Sequence, residues 1–258
     1  PMYFIAAACV VNIGLDFFFM GALRLGPAGA ALGTTLSQAV SVLLALCVIL
    51  KRKSIRLSKS DFCPRKATMK DILSIGLPVA AQDGFIQVSF MLITIMANQR
   101  GLTDAAAVGI VEKIISALFI VPSSMLATVS ALSAQNIGAG KHKRASQTLR
   151  YATILTTAYG IVITILMELA VQPVMQLFTP DAAVVALGCQ YMRGYIIDTI
   201  FAGIHFSFSG YFAAYGKSYI GFLHNMAAIV LLRVPGSYLA SRMFPETLFP
   251  MGLAAPAG

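Results

Sequence analysis

Long stretches almost free of charge are the feature of this sequence that most limits how it can fold. A helix needs about 20 apolar residues to cross roughly 30 Å of hydrocarbon. Of the 258 residues, 58% are hydrophobic and only 11% are charged, whereas soluble domains carry about 25% charge. The sequence therefore predicts an all-α membrane protein, a polytopic transmembrane helix bundle, and excludes a soluble or disordered chain. We predict seven spans: residues 2–22, 27–50, 71–97, 104–134, 147–171, 184–214 and 218–242.

Prolines interrupt three of these spans, at Pro78, Pro122 and Pro235. A proline lacks the N–H that would bond the carbonyl four residues earlier in a helix. It is tolerated within a membrane where neighbouring helices satisfy the freed carbonyl. We therefore expect these spans to continue past their prolines and to pack closely against other helices there.

Basic residues are distributed unevenly between the two ends of the spans. Thirteen Lys and Arg residues fall within 51–70, within 137–150 and at Lys217, and only three lie at the opposite ends. Cytoplasmic loops of membrane proteins carry such an excess. The distribution predicts that loops 51–70 and 137–150 are cytoplasmic in a multi-pass protein of the cell (plasma) membrane. It also explains the net charge of +9 without a nucleic-acid partner.

Cysteine and histidine residues show none of the spacings that metal sites require. The four cysteines form no CxxC pair, and the three histidines, at 142, 205 and 224, are far apart in the sequence. This pattern argues against a metal-dependent intramembrane hydrolase. We expect no metal, no cofactor and no enzymatic activity.

Short polar and glycine-rich motifs at the ends of the spans resemble those of the multidrug and toxin extrusion (MATE) transporters. The segment from Gln135 to Arg144, QNIGAGKHKR, is the most specific match. The other motifs are Asn12-Ile-Gly-Leu-Asp16, Gly26-Pro-Ala-Gly-Ala-Ala-Leu-Gly-Thr34, Gly76-Leu-Pro78, Ser209-Gly210, Gly216-Lys-Ser218 and Arg233-Val-Pro235.

The resemblance implies that the sequence covers about the fifth to eleventh helices of a two-lobe transporter with about twelve. Residues 1–50 would be the last two helices of the N-terminal lobe, and 51–70 a basic cytoplasmic loop between the lobes. Residues 71–258 would be the C-terminal lobe, incomplete at its last helix. The function implied is a secondary antiporter that exports organic, often cationic, compounds or drugs in exchange for H⁺ or Na⁺.

Asp16 is the clearest ionisable residue within a predicted span. Charged groups at membrane depth are costly and are functional candidates by default. Asn12 lies one turn earlier on the same helical face, and Thr34 belongs to the following antiparallel span. A carboxylate, an amide and a hydroxyl suit a hard cation or a transferable proton, and the resemblance places these three residues in the polar site of the N-terminal lobe. We predict that they couple transport to a cation or proton; their alternative role is hydrogen bonding between helices.

A second set of polar residues lies within the later spans, and we predict a polar network in the C-terminal lobe. Its alternative role is an ion-paired core in which acids neutralise Lys113 and Arg193. Glu168 and Arg233 also lie in spans, and we expect them to be structural. The candidate network comprises Asp83, Gln87, Glu112, Lys113, Arg193, Asp198 and His205.

Other functions remain open from the sequence. A lipid-linked precursor flippase of related architecture should carry more basic than acidic residues in its cavity. Here the candidate intramembrane acids outnumber the bases by five to three: Asp16, Asp83, Glu112, Glu168 and Asp198 against Lys113, Arg193 and Arg233. A non-transporting membrane protein would move nothing across a vesicle. We expect small-molecule substrates, a lipid bilayer as surroundings and a monomer.

Overall fold

The computed structural model describes residues 2–52 and 65–257, and the chain forms two compact units, Pro1–Arg65 and Lys66–Gly258. Most of the predicted 51–70 loop lies outside the described residues. Lys51 and Arg52 end one helix, and Lys66 begins the next.

The first unit contains two helices. Helix α1 (Met2–Asp16) continues into a π-helical segment, Phe17–Ala22, and helix α2 (Gly26–Arg52) follows a short turn. The two helices contact each other closely at Gly33, where an added Cβ would collide with Oδ1 of Asp16. The glycine therefore lets the α2 backbone pack against the carboxylate.

The second unit is a helical bundle whose elements contain the five remaining predicted spans. Among the described residues of both units, six helices, or seven if one bent pair counts as a single span, are long and apolar enough to cross a membrane. Each predicted span lies within a helix or a helix pair, which confirms the predicted all-α membrane fold. The helices are α3 (Lys66–Arg100), α4 (Leu102–Leu118), α5 (Ile120–Gly138), α6 (His142–Gln176), α7 (Ala182–Tyr195), α8 (Asp198–Ala214), α9 (Ser218–Ala228), α10 (Val234–Met243) and α11 (Phe249–Leu253), with a second π-helical segment, Ile229–Arg233, joining α9 to α10.

Side chains from neighbouring helices bond the carbonyls that two of the prolines leave free. Pro78 cannot bond the carbonyl of Ser74, and the Ser218 hydroxyl donates to it at 3.3 Å. Pro122 cannot bond the carbonyl of Leu118, and the Tyr159 hydroxyl donates to it at 2.9 Å. These bonds satisfy carbonyls that the prolines leave without a helical partner, as expected from the sequence.

Small residues bring helix α8 into backbone contact with α5 and α6. A Cβ added at Gly210 would collide with the carbonyl oxygen of Leu126 on α5. A Cβ added at Gly160 on α6 would lie 2.7 Å from the Cα of Ile200. Close approach through small residues is how helices associate where lipid provides no hydrophobic drive.

Arg100 joins the end of α3 to the segment that follows α10. Its Nε pairs with Asp104 at 2.5 Å, and its terminal nitrogens donate to four backbone carbonyls between 2.7 and 3.3 Å away. Those carbonyls belong to Ser241, Phe244, Pro245 and Thr247. The guanidinium therefore fixes this turn and favourably opposes the negative end of helix α10.

Candidate functional site

A bend between α7 and α8 opens a cavity within the second unit. The two helices meet at an angle of 43° across the break at 196–197. Asp198 begins α8 directly after this break, and the second π-helical segment faces the same cavity with Arg233. Broken helices and π-helical turns are common where membrane proteins bind ligands, because they free backbone and side-chain groups from regular packing. The cavity has a volume of about 510 Å³.

The oppositely charged side chains of Asp198 and Arg233 both line this cavity without forming an ion pair. Asp198 and Arg233 are each only 9% exposed. Their charges interact, but among the described residues the only ion pairs within 4.0 Å are Arg100–Asp104 and Arg193–Glu168. Arg233 donates to the Tyr195 hydroxyl, and its Nε is buried and has no hydrogen-bond partner in the described part of the chain.

Aromatic rings hold the guanidinium of Arg233 in place. Its carbon lies 4.9 Å from the ring centroid of Phe90 and 5.4 Å from that of Tyr195. Cations are attracted to aromatic faces at these distances, more strongly when water is excluded. The guanidinium is therefore fixed in a desolvated position while one of its donors stays free.

A pair of histidines lines the cavity about two helical turns from Asp198. His205 lies on α8 and His224 on α9. The rings of His205 and His224 stack with centroids 5.2 Å apart. The Nε2 atom of His205 lies 3.2 Å from Nε2 of Gln82, and because an amide nitrogen only donates, His205 accepts this bond in the arrangement seen here. Asn225 donates to the Gln82 carbonyl at 3.5 Å. This second polar level lies about 10 Å from Asp198 along the helix, at a rise of 1.5 Å per residue.

Six phenylalanines, together with aliphatic and small residues, form the remaining wall. A cavity of this size, mainly apolar with a few polar groups at fixed points, has the character of an organic-ligand site. The rings supply contact area, and the two polar levels would orient a ligand between them. The lining phenylalanines are Phe90, Phe119, Phe201, Phe206, Phe208 and Phe212.

Asp83 and Gln87, two members of the predicted network, do not line this cavity. The Asp83 carboxylate faces a separate slot between α3, α5 and α8, lined mainly by small residues. Gln87 is exposed one turn further along α3. The neighbouring residue Gln82, rather than either of these, is buried and reaches the histidine level.

The other members of the predicted network are dispersed around the unit. Glu112 accepts a bond from Thr94 at 3.1 Å and lies near enough to Arg233 for their charges to interact. Lys113 is exposed. Arg193 pairs with Glu168 at 3.4 Å, and both side chains are about half exposed. The structure therefore brings Asp198 and His205 into the cavity and places Glu112 behind it.

In the first unit, Asn12 and Asp16 lie on one face of α1 as their spacing predicts. The amide nitrogen of Asn12 and Oδ1 of Asp16 are both buried, and neither has a hydrogen-bond partner in the described part of the chain. A donor and an acceptor one turn apart can hold a bridging water, and the carboxylate oxygen can bind a cation or a proton. Thr34 is exposed and donates to the Ala30 carbonyl of its own helix at 3.0 Å.

Sequence analysis missed Arg233 and His224 as residues of the site. Arg233 was expected to be structural, and His224 entered only as one of three dispersed histidines. A usable signal was present: Asp198 lies 18 residues before Gly216 and Arg233 lies 17 residues after it. Because the chain reverses at Gly216, where φ is +70°, that near-equal distance places the two charges at the same level.

Comparison with known proteins gives consistent matches. The family model MatE matches residues 78–239. A probable multidrug resistance protein, YpnP of Bacillus subtilis, is 28% identical over 256 residues, which cover 98% of this chain and 57% of that protein. An FAD transporter of Shewanella oneidensis is 26% identical over 93% of this chain and 55% of its own length. The chain thus spans just over half the length of these curated relatives.

Solved structures share the fold at low sequence identity. A mutant of the Vibrio cholerae MATE transporter VcmN superposes with a TM-score of 0.89 at 17% identity, over 99% of this chain and 57% of that one. A MATE structure in complex with MaD3S gives a TM-score of 0.90 at 20% identity, over all of this chain and 58% of that one. A transporter of the MOP superfamily from Pyrococcus furiosus, described by the reverse polarity of its binding pocket, gives 0.89 at 18% identity, over 99% and 58%.

Proposed function

The chain belongs to the MatE family, and from that membership we propose that the protein is a secondary antiporter that exports organic, often cationic, compounds in exchange for H⁺ or Na⁺. The observation that carries the proposal is the aromatic cavity of about 510 Å³ inside a bundle of membrane-spanning helices. A site of this kind can bind an organic molecule through its apolar wall and orient it by the few polar groups. The names of relatives such as YpnP support export of drugs, and we expect the protein to act as a monomer.

For the driving ion, we propose Asp16 with Asn12 and Thr34. The Oδ1 atom of Asp16, which has no partner among the described residues, supports this assignment, because a buried polar atom without a partner is costly unless a ligand occupies it. A cation or a proton at Asp16 would satisfy the carboxylate. The Thr34 hydroxyl oxygen keeps a lone pair free for the same ion while it donates to Ala30.

The effects of the driving ion and the substrate on each other's affinity supply the test. If a driving ion lowers the affinity for substrate, then substrate lowers the affinity for that ion by the same factor. The experiment measures binding of radiolabelled tetraphenylphosphonium, a permeant organic cation, to purified full-length protein over a range of pH, with and without Na⁺. We expect wild type to bind it less tightly as H⁺ or Na⁺ rises, and Asp16→Asn to lose that dependence.

Asp71→Asn is the matched control, since Asp71 is exposed near the start of α3 and should leave the dependence intact. Unchanged ion dependence in Asp16→Asn would reject Asp16 as the coupling residue. Binding that depends on neither ion in wild type would reject the antiport proposal itself.

A further inference from the structure

We propose that the cavity of the second unit binds aromatic zwitterions, with Arg233 holding an acidic group and Asp198 an amine of the same molecule. This assignment rests on the proposed transport function and names its substrate class. It differs from a simple organic cation, for which a carboxylate alone would suffice.

The charges at the bend carry the first step of the argument. A buried charge is strongly unfavourable unless it is paired and hydrogen-bonded. Arg233 and Asp198 lie in one cavity at 9% exposure each, yet they make no ion pair with each other. A ligand that carries both an acid and an amine would give each of these two groups a direct partner, whereas a cation or an anion would pair with only one of them.

The hydrogen-bond donors of Arg233 indicate which group of the ligand binds there. One terminal nitrogen is taken by the Tyr195 hydroxyl, and the rings of Phe90 and Tyr195 lie against the guanidinium. The Nε atom is fully buried, whereas the other terminal nitrogen has no hydrogen-bond partner among the described residues and is not buried, so it can reach a ligand in the cavity. A carboxylate is the natural acceptor, because guanidinium–carboxylate bonds are among the strongest in proteins.

Space along α8 accommodates an aromatic ring. Asp198 and His205 are seven residues apart on the wall of the cavity, about 10 Å at helical rise. Phe201 and Phe208 line the cavity near these residues. A fused aromatic ring attached to the charged group would lie between the two polar levels and end near the stacked histidines.

Three ligands that share an indole ring separate the charge requirements. Tryptophan carries both charges, tryptamine only the amine, and indole-3-acetate only the acid. Binding of each ligand is measured by isothermal titration calorimetry, which needs no optical signal from the protein. With purified full-length protein, we expect tryptophan to bind about tenfold or more tightly than either relative, since each charge-assisted bond contributes about 1.5–3 kcal/mol.

Two substitutions then test which residue binds each charged group of the ligand. Arg233→Gln should remove the advantage of tryptophan over tryptamine, and Asp198→Asn should remove its advantage over indole-3-acetate. The matched controls are Arg193→Gln, which lies in the exposed pair with Glu168, and Asp83→Asn, which faces the separate slot. Both controls should keep the wild-type order of affinities.

The wild-type comparison decides the proposal even if Arg233→Gln fails to fold. Equal or tighter binding of tryptamine would overturn the zwitterion assignment while leaving organic-cation export in place. Absence of binding for all three ligands would overturn it as well. If only the flux and ion-dependence experiments fail while tryptophan binds best, the antiport proposal fails and this assignment stands.

Discussion

Replacement of Gly160 by alanine should destabilise the second unit through a single collision. The new Cβ would lie 2.7 Å from the Cα of Ile200, 3.0 Å from its nitrogen and 3.0 Å from the carbonyl oxygen of Thr199. All three are backbone atoms, so no side-chain rotation can relieve the contact. Helices α6 and α8 would have to separate locally by about 0.8 Å to restore an ordinary carbon–carbon distance.

Helix α8 has little freedom to move away from α6. On its other side Gly210 packs against the backbone of Leu126, and Gly203 packs against Thr156 on α6 itself. Overpacking of a close-packed interior destabilises by about 1–3 kcal/mol. Helix propensity opposes this loss, because alanine is favoured over glycine within a helix by about 1 kcal/mol.

Gly109→Ala is a matched control that isolates the collision. Gly109 lies within helix α4, and an added Cβ there meets no atom within 4 Å. Both variants gain the same helix propensity, so the difference between them reports the steric contribution, about 1–3 kcal/mol. The assay is unfolding by SDS titration in mixed micelles, followed by far-UV circular dichroism. Equal stability of the two variants would refute the backbone contact between α6 and α8.

Three further predictions concern the contacts of Arg100, the packing at Gly33 and the membrane topology. Arg100→Lys should lower the free energy of unfolding by about 2–3 kcal/mol in the same titration, because one ammonium group cannot replace the several guanidinium N–H donors that reach Asp104 and four carbonyls. An unchanged free energy would contradict the role of Arg100. Gly33→Ala should displace the Asp16 carboxylate and weaken the ion dependence of substrate binding, and wild-type dependence would contradict it. In a cysteine-free background, Ala139→Cys should react with an impermeant maleimide from the cytoplasm and Glu246→Cys from outside; labelling of both from one side would reject the topology.

The spans could be predicted from the sequence because hydrophobic length is a property of each segment alone. Which polar residues meet depends on helix rotation, and one residue changes the direction of a side chain by about 100° on an α-helix. Gln82 is buried at the histidine level while Asp83 faces another slot. The sequence marks both as polar residues within a span and gives no means of choosing between them.

The sequence does indicate which charged residues of two consecutive helices lie near each other. Glu168 and Arg193 lie 12 residues before and 13 residues after Pro180, in the turn between α6 and α7, and they form an ion pair. The similar spacing of Asp198 and Arg233 around Gly216 brings these charges to one cavity. Contacts between distant helices, such as Gln82 with His205, have no such local signal.

The break at 196–197 also lies beyond sequence prediction. No proline or glycine occupies it, and the predicted span 184–214 is continuous. Tertiary contacts accompany the bend instead: the Thr164 hydroxyl donates to the Ile196 carbonyl at 3.4 Å, and Gly194 on α7 packs closely against α11. These contacts fix the break that sets Asp198 at the cavity.

Gradient-driven flux in sealed proteoliposomes tests the central claim most directly. The full-length protein is reconstituted, and uptake of labelled tetraphenylphosphonium or tryptophan is followed under an imposed gradient of H⁺ or Na⁺ directed outward, with the membrane potential clamped. The account predicts that one of the two ion gradients drives accumulation of substrate above equilibrium, and that Asp16→Asn abolishes the accumulation while Asp71→Asn does not. Equal substrate concentrations inside and outside under both gradients would contradict it.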